Sequence, residues 1–149
     1  MKRVCAFFGH RDLCCDISEQ LESAIHTAIS ECGISSFWCG NYGAFDLAAA
    51  HAVRRIKHHY PHIELLWVRA YMPAVHESVN TLYDGSVYPD NLETVPKCFA
   101  IAKRNEWIIA NCDMIIAYVN SRYGGAYTAC HHYMRTRKSI INLGSLDDI

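Results

Sequence analysis

The chain has 149 residues, 51% of them hydrophobic and 19% charged, with a formal net charge of −1. That composition excludes a disordered chain and predicts one folded domain over residues 1–149. The near-zero charge argues against a protein that coats DNA or RNA, whose affinity needs excess Lys and Arg. No apolar run approaches the roughly 18 residues of a membrane span.

The elements follow in chain order. The start, MKRVCAFFGH, has a basic end but a very short apolar stretch, and reads as a first strand, Arg3–Phe8, rather than a leader. Asp16 opens a helix, with Glu19 placed as in a capping box. Ile17, Leu21, Ile25, Ala28, Ile29 and Cys32 recur at helical spacing, and Gly33 fits the stop. Ser36–Cys39 is a second strand that runs into the turn Gly40-Asn41-Tyr42-Gly43. A helix over Phe45–His59 turns Ala49, Ala52, Val53 and Ile56 inward and ends before Pro61. Ile63–Ala70 is a third strand. Tyr71–Thr94 carries Pro73, Gly85 and Pro89 without periodicity and reads as a long functional loop. Val95–Asn111 is a helix with Cys98, Ile101, Ala102, Ile108 and Ile109 on one face. Met114–Val119, Gly125–Arg137 and Ser139–Leu143 complete the series as strand, helix and strand.

Eight cysteines invite a disulfide or metal reading that their positions do not support. Cys5, Cys32, Cys39, Cys98, Cys112 and Cys130 fall in or beside apolar stripes, where a thiol acts as a small hydrophobe. Only Cys14-Cys15 are loop-borne, and no CxxC pair exists. A reduced, cytoplasmic protein is expected. His58, His59 and His62 straddle Pro61, and His131-His132 are adjacent, so neither group has zinc spacing. No metal and no resident cofactor are expected.

Strands alternating with helices predict an α/β fold, a parallel sheet covered on both faces. Ligands of such sheets sit beyond the carboxyl ends of the strands, where the strand order reverses. Three glycine turns lie on that edge: Gly9-His10-Arg11, Gly40–Gly43 and Gly124-Gly125. The last sits in MIIAYVNSRYGGAYTA, where a buried strand meets a helix start, and free N–H groups there suit phosphate. Arg11 can pair with a phosphate or carboxylate, or lie on the surface near Asp12 or Asp16. His10 can bond a neighbouring loop or meet ligand. Asp46 is either a helix-start carboxylate or an acceptor for ribose hydroxyls. Asn105 falls on the apolar face of its helix, with Arg104 at the edge of that face. Thr128 can donate to phosphate, cap, or pack. No nucleophile elbow, P-loop or GxGxxG fingerprint is present.

The ordered set Gly9-His10-Arg11, Gly43-x-x-Asp46-x-x-Ala49, Arg104-Asn105, Asp113 and Gly124-Gly125-Ala126 resembles the SLOG superfamily, named for the SMF/DprA and LOG proteins. The likeness spans about Val4 to Leu143, and is nearest to small bacterial and phage members of unassigned function. It implies a Rossmann-like three-layer sandwich with a mostly parallel sheet of five strands or slightly more. It also implies a nucleotide or nucleotide-derived ligand, NAD- or ADP-ribose-related, bound by a sensor or binding module, and a homo-oligomer. LOG enzymes instead cleave nucleoside 5′-monophosphates at the N-glycosidic bond, through a PGGxGTxxE signature. Here Arg122-Tyr123-Gly124-Gly125-Ala126-Tyr127-Thr128-Ala129-Cys130 lacks the proline and the glutamate. A glycosidase would need another acid, with Asp46 or Asp84 as candidates. DprA-type members bind single-stranded DNA, a branch that the charge disfavours. Tyr71, Tyr83 and Tyr88 are candidates to stack on a base or to make dimer contacts.

Overall fold

Side-chain alternation along three apolar runs decides the architecture. In Val4–Phe8, Cys5 and Phe7 join one buried cluster, while Val4, Ala6 and Phe8 join another. Met114, Ile116 and Tyr118 alternate with Ile115, Ala117 and Val119 in the same way, as Phe37 and Cys39 do with Trp38. Strands apolar on both faces need cover on both faces.

The computed structural model describes residues 2–72, 80–136 and 138–147. Pro73 and Arg137, placed above in a loop and at a helix end, lie outside the described residues. The elements are β1 (Val4–Gly9), α1 (Ser18–Cys32), β2 (Ser36–Cys39), α2 (Ala44–Lys57), β3 (Glu64–Val68), β4 (Gly85–Val87), α3 (Ala100–Asn111), β5 (Met114–Tyr118), α4 (Gly124–Met134) and β6 (Ser139–Asn142). They form a six-stranded sheet of order β4-β3-β2-β1-β5-β6, parallel at every pairing. The α1/α2 pair covers one face and α3/α4 the other, giving a Rossmann-like three-layer sandwich.

Several expectations are corrected. Asp16 does not form a capping box with Glu19: it lies two residues before the helix and takes the Ser18 N–H and hydroxyl. The segment read as one long loop contains β4. Its short polar sequence hides it, and Asp84 anchors it by exchanging hydrogen bonds with Leu65. Single 3-10 turns occupy Leu92–Thr94 and Lys97–Phe99, so α3 starts later than expected. Its buried residues are Ala100, Arg104, Ile108 and Ile109, whereas Cys98 and Ala102 are exposed. All eight cysteines are free. Among the described residues, no helix is long and apolar enough to cross a membrane, and no group of three or more His, Cys, Asp or Glu could hold a metal ion.

Candidate functional site

The chain leaves β1 toward β2 on one side and returns to β5 on the other, so the strand order reverses at the β1–β5 seam. A cleft of about 290 Å³ opens beyond the carboxyl ends of these strands. Four segments line it: Gly9-His10-Arg11 after β1, Gly40, Tyr42 and Asp46 between β2 and α2, Arg104 and Asn105 on α3, and Gly124-Gly125-Ala126 at the start of α4. Of the candidates named from the sequence, Gly9, His10, Arg11, Gly40, Asp46, Arg104, Asn105, Gly124, Gly125 and Ala126 line the cleft, while Gly43, Thr128, Asp84, Tyr71, Tyr83 and Tyr88 do not.

The glycines differ in what demands them. A Cβ at Gly9 would overlap the Phe45 ring, and one at Gly40 would sit 2.8 Å from the Arg104 guanidinium. Gly43 has φ +103, and a Cβ there would meet the Arg11 backbone at 2.7 Å. Close packing alone therefore calls for glycine at these three, whatever the cleft holds. Gly124 and Gly125 are different: nothing lies within 4 Å of a Cβ at either. Gly124 still needs its φ of +87, but Gly125 has neither a positive φ nor a neighbour to make room for.

Arg104 is the buried member of its pair and Asn105 is half-buried, the reverse of the sequence reading. One guanidinium N–H donates to the Gly40 carbonyl at 3.1 Å. Nε and Nη2 both donate to Asn105 Oδ1, at 3.3 and 3.1 Å. A guanidinium only donates, so this pairing turns the Asn105 oxygen inward and leaves its Nδ2 amide available. α3 is thereby tied to the loop after β2.

Asp46 is 7% exposed. Its Oδ2 accepts the Tyr42 N–H at 2.9 Å. Among the described residues no donor reaches Oδ1, and that atom is not sealed from solvent. Burial pushes the Asp46 carboxyl up to about 6, against the Tyr42 hydrogen bond and the Arg104 charge, which favour ionisation. Burial in turn lowers Arg104 from its usual range, and Asp46 opposes that.

His10 serves a loop: its Nε2 accepts the Asn120 N–H at 2.9 Å, which places the neutral ring's proton on Nδ1. Arg11 stacks over Tyr42, 4.5 Å from the ring centroid, rather than pairing with Asp12 or Asp16. Sequence reasoning passed over Tyr42 as a turn residue, and the tie between two loops that reveals it is not local. The exposed Thr128 hydroxyl donates to the Gly124 carbonyl at 3.0 Å, one turn back on its own helix. Asp84 lies outside the cleft and is no candidate acid. Burial raises its carboxyl, but hydrogen bonds from Lys57 and Leu65 and the charges of Lys57 and Arg54 outweigh this and hold it below its ordinary value. Tyr83 is buried, donating to Asn41 Oδ1 at 2.9 Å, and so is not free to stack on a base. Tyr71 is exposed beside Lys97, and Tyr88 is half-buried.

No family model matches the sequence, and no curated protein matches it. Solved structures do. DNA processing protein A (DprA) from Streptococcus pneumoniae superposes with a TM-score of 0.69 at 18% identity, over 99% of this chain and 52% of that one. This chain therefore spans about half the length of that protein. The molybdenum cofactor binding protein of Rippkaea orientalis gives a TM-score of 0.65 at 13% identity, over 98% of this chain and 78% of its own. The Moco carrier protein of Chlamydomonas reinhardtii gives 0.61 at 11%, over 99% and 79%. With the sheet order, the seam cleft and these superpositions in place, the chain has the Rossmann-like fold seen in DprA and the Moco carrier proteins.

Proposed function

We propose that the chain is a small-molecule binding module whose seam cleft takes a phosphorylated, nucleotide-type ligand, NAD- or ADP-ribose-related molecules included. The observation that carries this reading is Gly125. The protein's own packing leaves room for a side chain there, in the first turn of a helix that opens on the cleft. Glycine in a helix costs roughly 0.5–1 kcal/mol relative to alanine, so its presence is accounted for by something approaching the backbone from outside. Free N–H groups at that helix start favour an anion, and Arg11 stands at the same rim. Two of the superposed structures are of proteins named for a small-molecule cofactor. Another neighbour is named for single-stranded DNA binding. A net charge of −1 gives little of the Lys and Arg excess that a polyanion needs.

Thermal unfolding with AMP, ADP-ribose, adenosine, inorganic phosphate and a single-stranded oligonucleotide tests the proposal. A ligand at a hundred times its Kd stabilises the fold by about 2.7 kcal/mol, a shift of several degrees. AMP or ADP-ribose should produce it and adenosine should not. A shift with the oligonucleotide alone, or with nothing, sinks the reading.

One observation favours a second reading, an N-glycosidase acting on nucleoside 5′-monophosphates. Asp46 presents a carboxyl in the cleft at about 6, near the value an acid catalyst uses. Release of free base from AMP, lost in Asp46→Asn, would establish it. Intact AMP after prolonged incubation would leave the binding reading alone.

A further inference from the structure

We infer that Asp46 and Asn105 form a subsite for a vicinal diol, so that the cleft takes ribose-containing phosphates and discriminates against their 2′-deoxy counterparts. This rests on the proposal that the cleft holds a phosphorylated ligand.

The argument starts from an apparent conflict. A cleft with anion-binding features also carries a buried carboxyl group, and a carboxylate repels phosphate. At neutral pH Asp46 is mainly ionised and can only accept hydrogen bonds. Its Oδ2 is engaged by the Tyr42 N–H, which fixes the group, while Oδ1 has no donor among the described residues. Oδ1 is the one face of an otherwise buried carboxyl left open, so a donor on this group comes from the cleft, from a ligand hydroxyl or from solvent.

Asn105 lines the same cleft with the opposite character. Arg104 holds its oxygen through two N–H groups, so the Nδ2 amide is left as a donor with no partner among the described residues. The subsite thus presents one acceptor and one donor, each fixed from behind. A vicinal diol matches both, because one hydroxyl donates to Asp46 while the other accepts from Asn105. An aminated base edge also places a donor beside an acceptor. The size of the cleft favours the sugar: about 290 Å³ is at the lower end for ligand pockets. With phosphate at Gly124-Gly125, the group that follows it falls within the cleft, and a base extends toward Tyr42, which lines the cleft and is exposed.

Calorimetric titration of the purified chain separates the possibilities. The probes are ribose 5-phosphate against 2-deoxyribose 5-phosphate, which carry no base, and AMP, GMP, CMP and UMP against their 2′-deoxy forms. The ribose member of each pair should bind about ten- to a hundredfold more tightly, the range for one hydrogen bond to a charged group. Asp46→Asn should bring the two members of each pair to near-equal affinity, while loss of the carboxylate charge leaves phosphate binding by the deoxyribose member intact or tighter. Asn105→Ala should narrow the preference in the same direction, which guards against a fold defect in one variant. Equal affinity within every pair overturns this inference and leaves the phosphate site standing. A preference that follows the base and vanishes for the base-free sugars overturns it too, transferring Asp46 to a base edge. No binding by any probe overturns both the inference and the reading beneath it.

Discussion

Replacing Gly125 with alanine separates what the fold needs from what a ligand needs. The new methyl group meets nothing within 4 Å, and the backbone there has no positive φ. Gly→Ala at a compatible position stabilises a protein by about 0.4–1 kcal/mol, chiefly by restricting the unfolded chain. For a chain of this size that raises Tm by about 1–4 °C. The same methyl stands where a phosphate would approach the amides of α4, so binding of AMP or ADP-ribose should fall at least tenfold. Urea unfolding in phosphate-free buffer gives the first quantity, with an unchanged m-value as the sign that only stability moved. Titration gives the second. Gly124→Ala is the control, since its φ of +87 makes a side chain strained and should destabilise by about 1–2 kcal/mol. A Gly125→Ala protein that is less stable than the parent, or that binds phosphorylated ligand unchanged, refutes the reasoning.

Three further outcomes are expected. Asp46 titrates at about 6 in the folded chain against an ordinary 3.8, so between these values the native state holds a proton that the unfolded state has released. Stability from this group therefore falls as pH rises from about 4 to 6, by up to about 3 kcal/mol, and is level above that. Urea midpoints measured across this window should slope less in Asp46→Asn, and identical slopes would contradict the assignment. Gly9→Ala drives a methyl into the Phe45 side chain and should cost about 1–3 kcal/mol, with part of that cost recovered when it is introduced into a Phe45→Ala background. Chemical denaturation of the double variant checks this: no recovery means that the clash lies elsewhere. Arg104→Met strands the Gly40 carbonyl and the Asn105 oxygen, at about 1–3 kcal/mol for buried groups left unpaired. It should also raise the Asp46 titration further, which carboxyl NMR would follow.

Much of the fold was legible because its signals are local. The short continuous apolar runs of β1 and β5, helical spacing in α1 and α2, and the glycine after α1 each depend on a few neighbouring residues. β4 was not legible, since three residues with exposed, polar character form a strand only because Asp84 joins them to β3. The cleft's segments were foreseen from the rule that places ligands at the carboxyl edge of parallel strands. The roles inside them were not. That Gly9 and Gly40 are also required by the Phe45 ring and the distant Arg104 could not be read locally. Apolar spacing put Asn105 inward, but the neighbouring Arg104 is the buried one, drawn in by its bond to the Gly40 carbonyl. An arginine in a core position is readable only from its partner, here across the sheet's layer in another segment of chain.

The tie between α3 and the β2 loop comes with an optical signature. Trp38 precedes Gly40 in β2, Trp107 follows Asn105 on α3, and their rings stack with centroids 5.2 Å apart and planes 17° apart. Two indoles this close couple their transitions, so near-ultraviolet circular dichroism should carry a paired band that depends on their geometry. The third tryptophan, Trp67, lies under the Arg69 guanidinium and beside Tyr83, away from this pair. Seating of α3 against the sheet can thus be watched without a label, and any occupant that shifts Arg104 or Asn105 announces itself in the colour of the protein's own tryptophans.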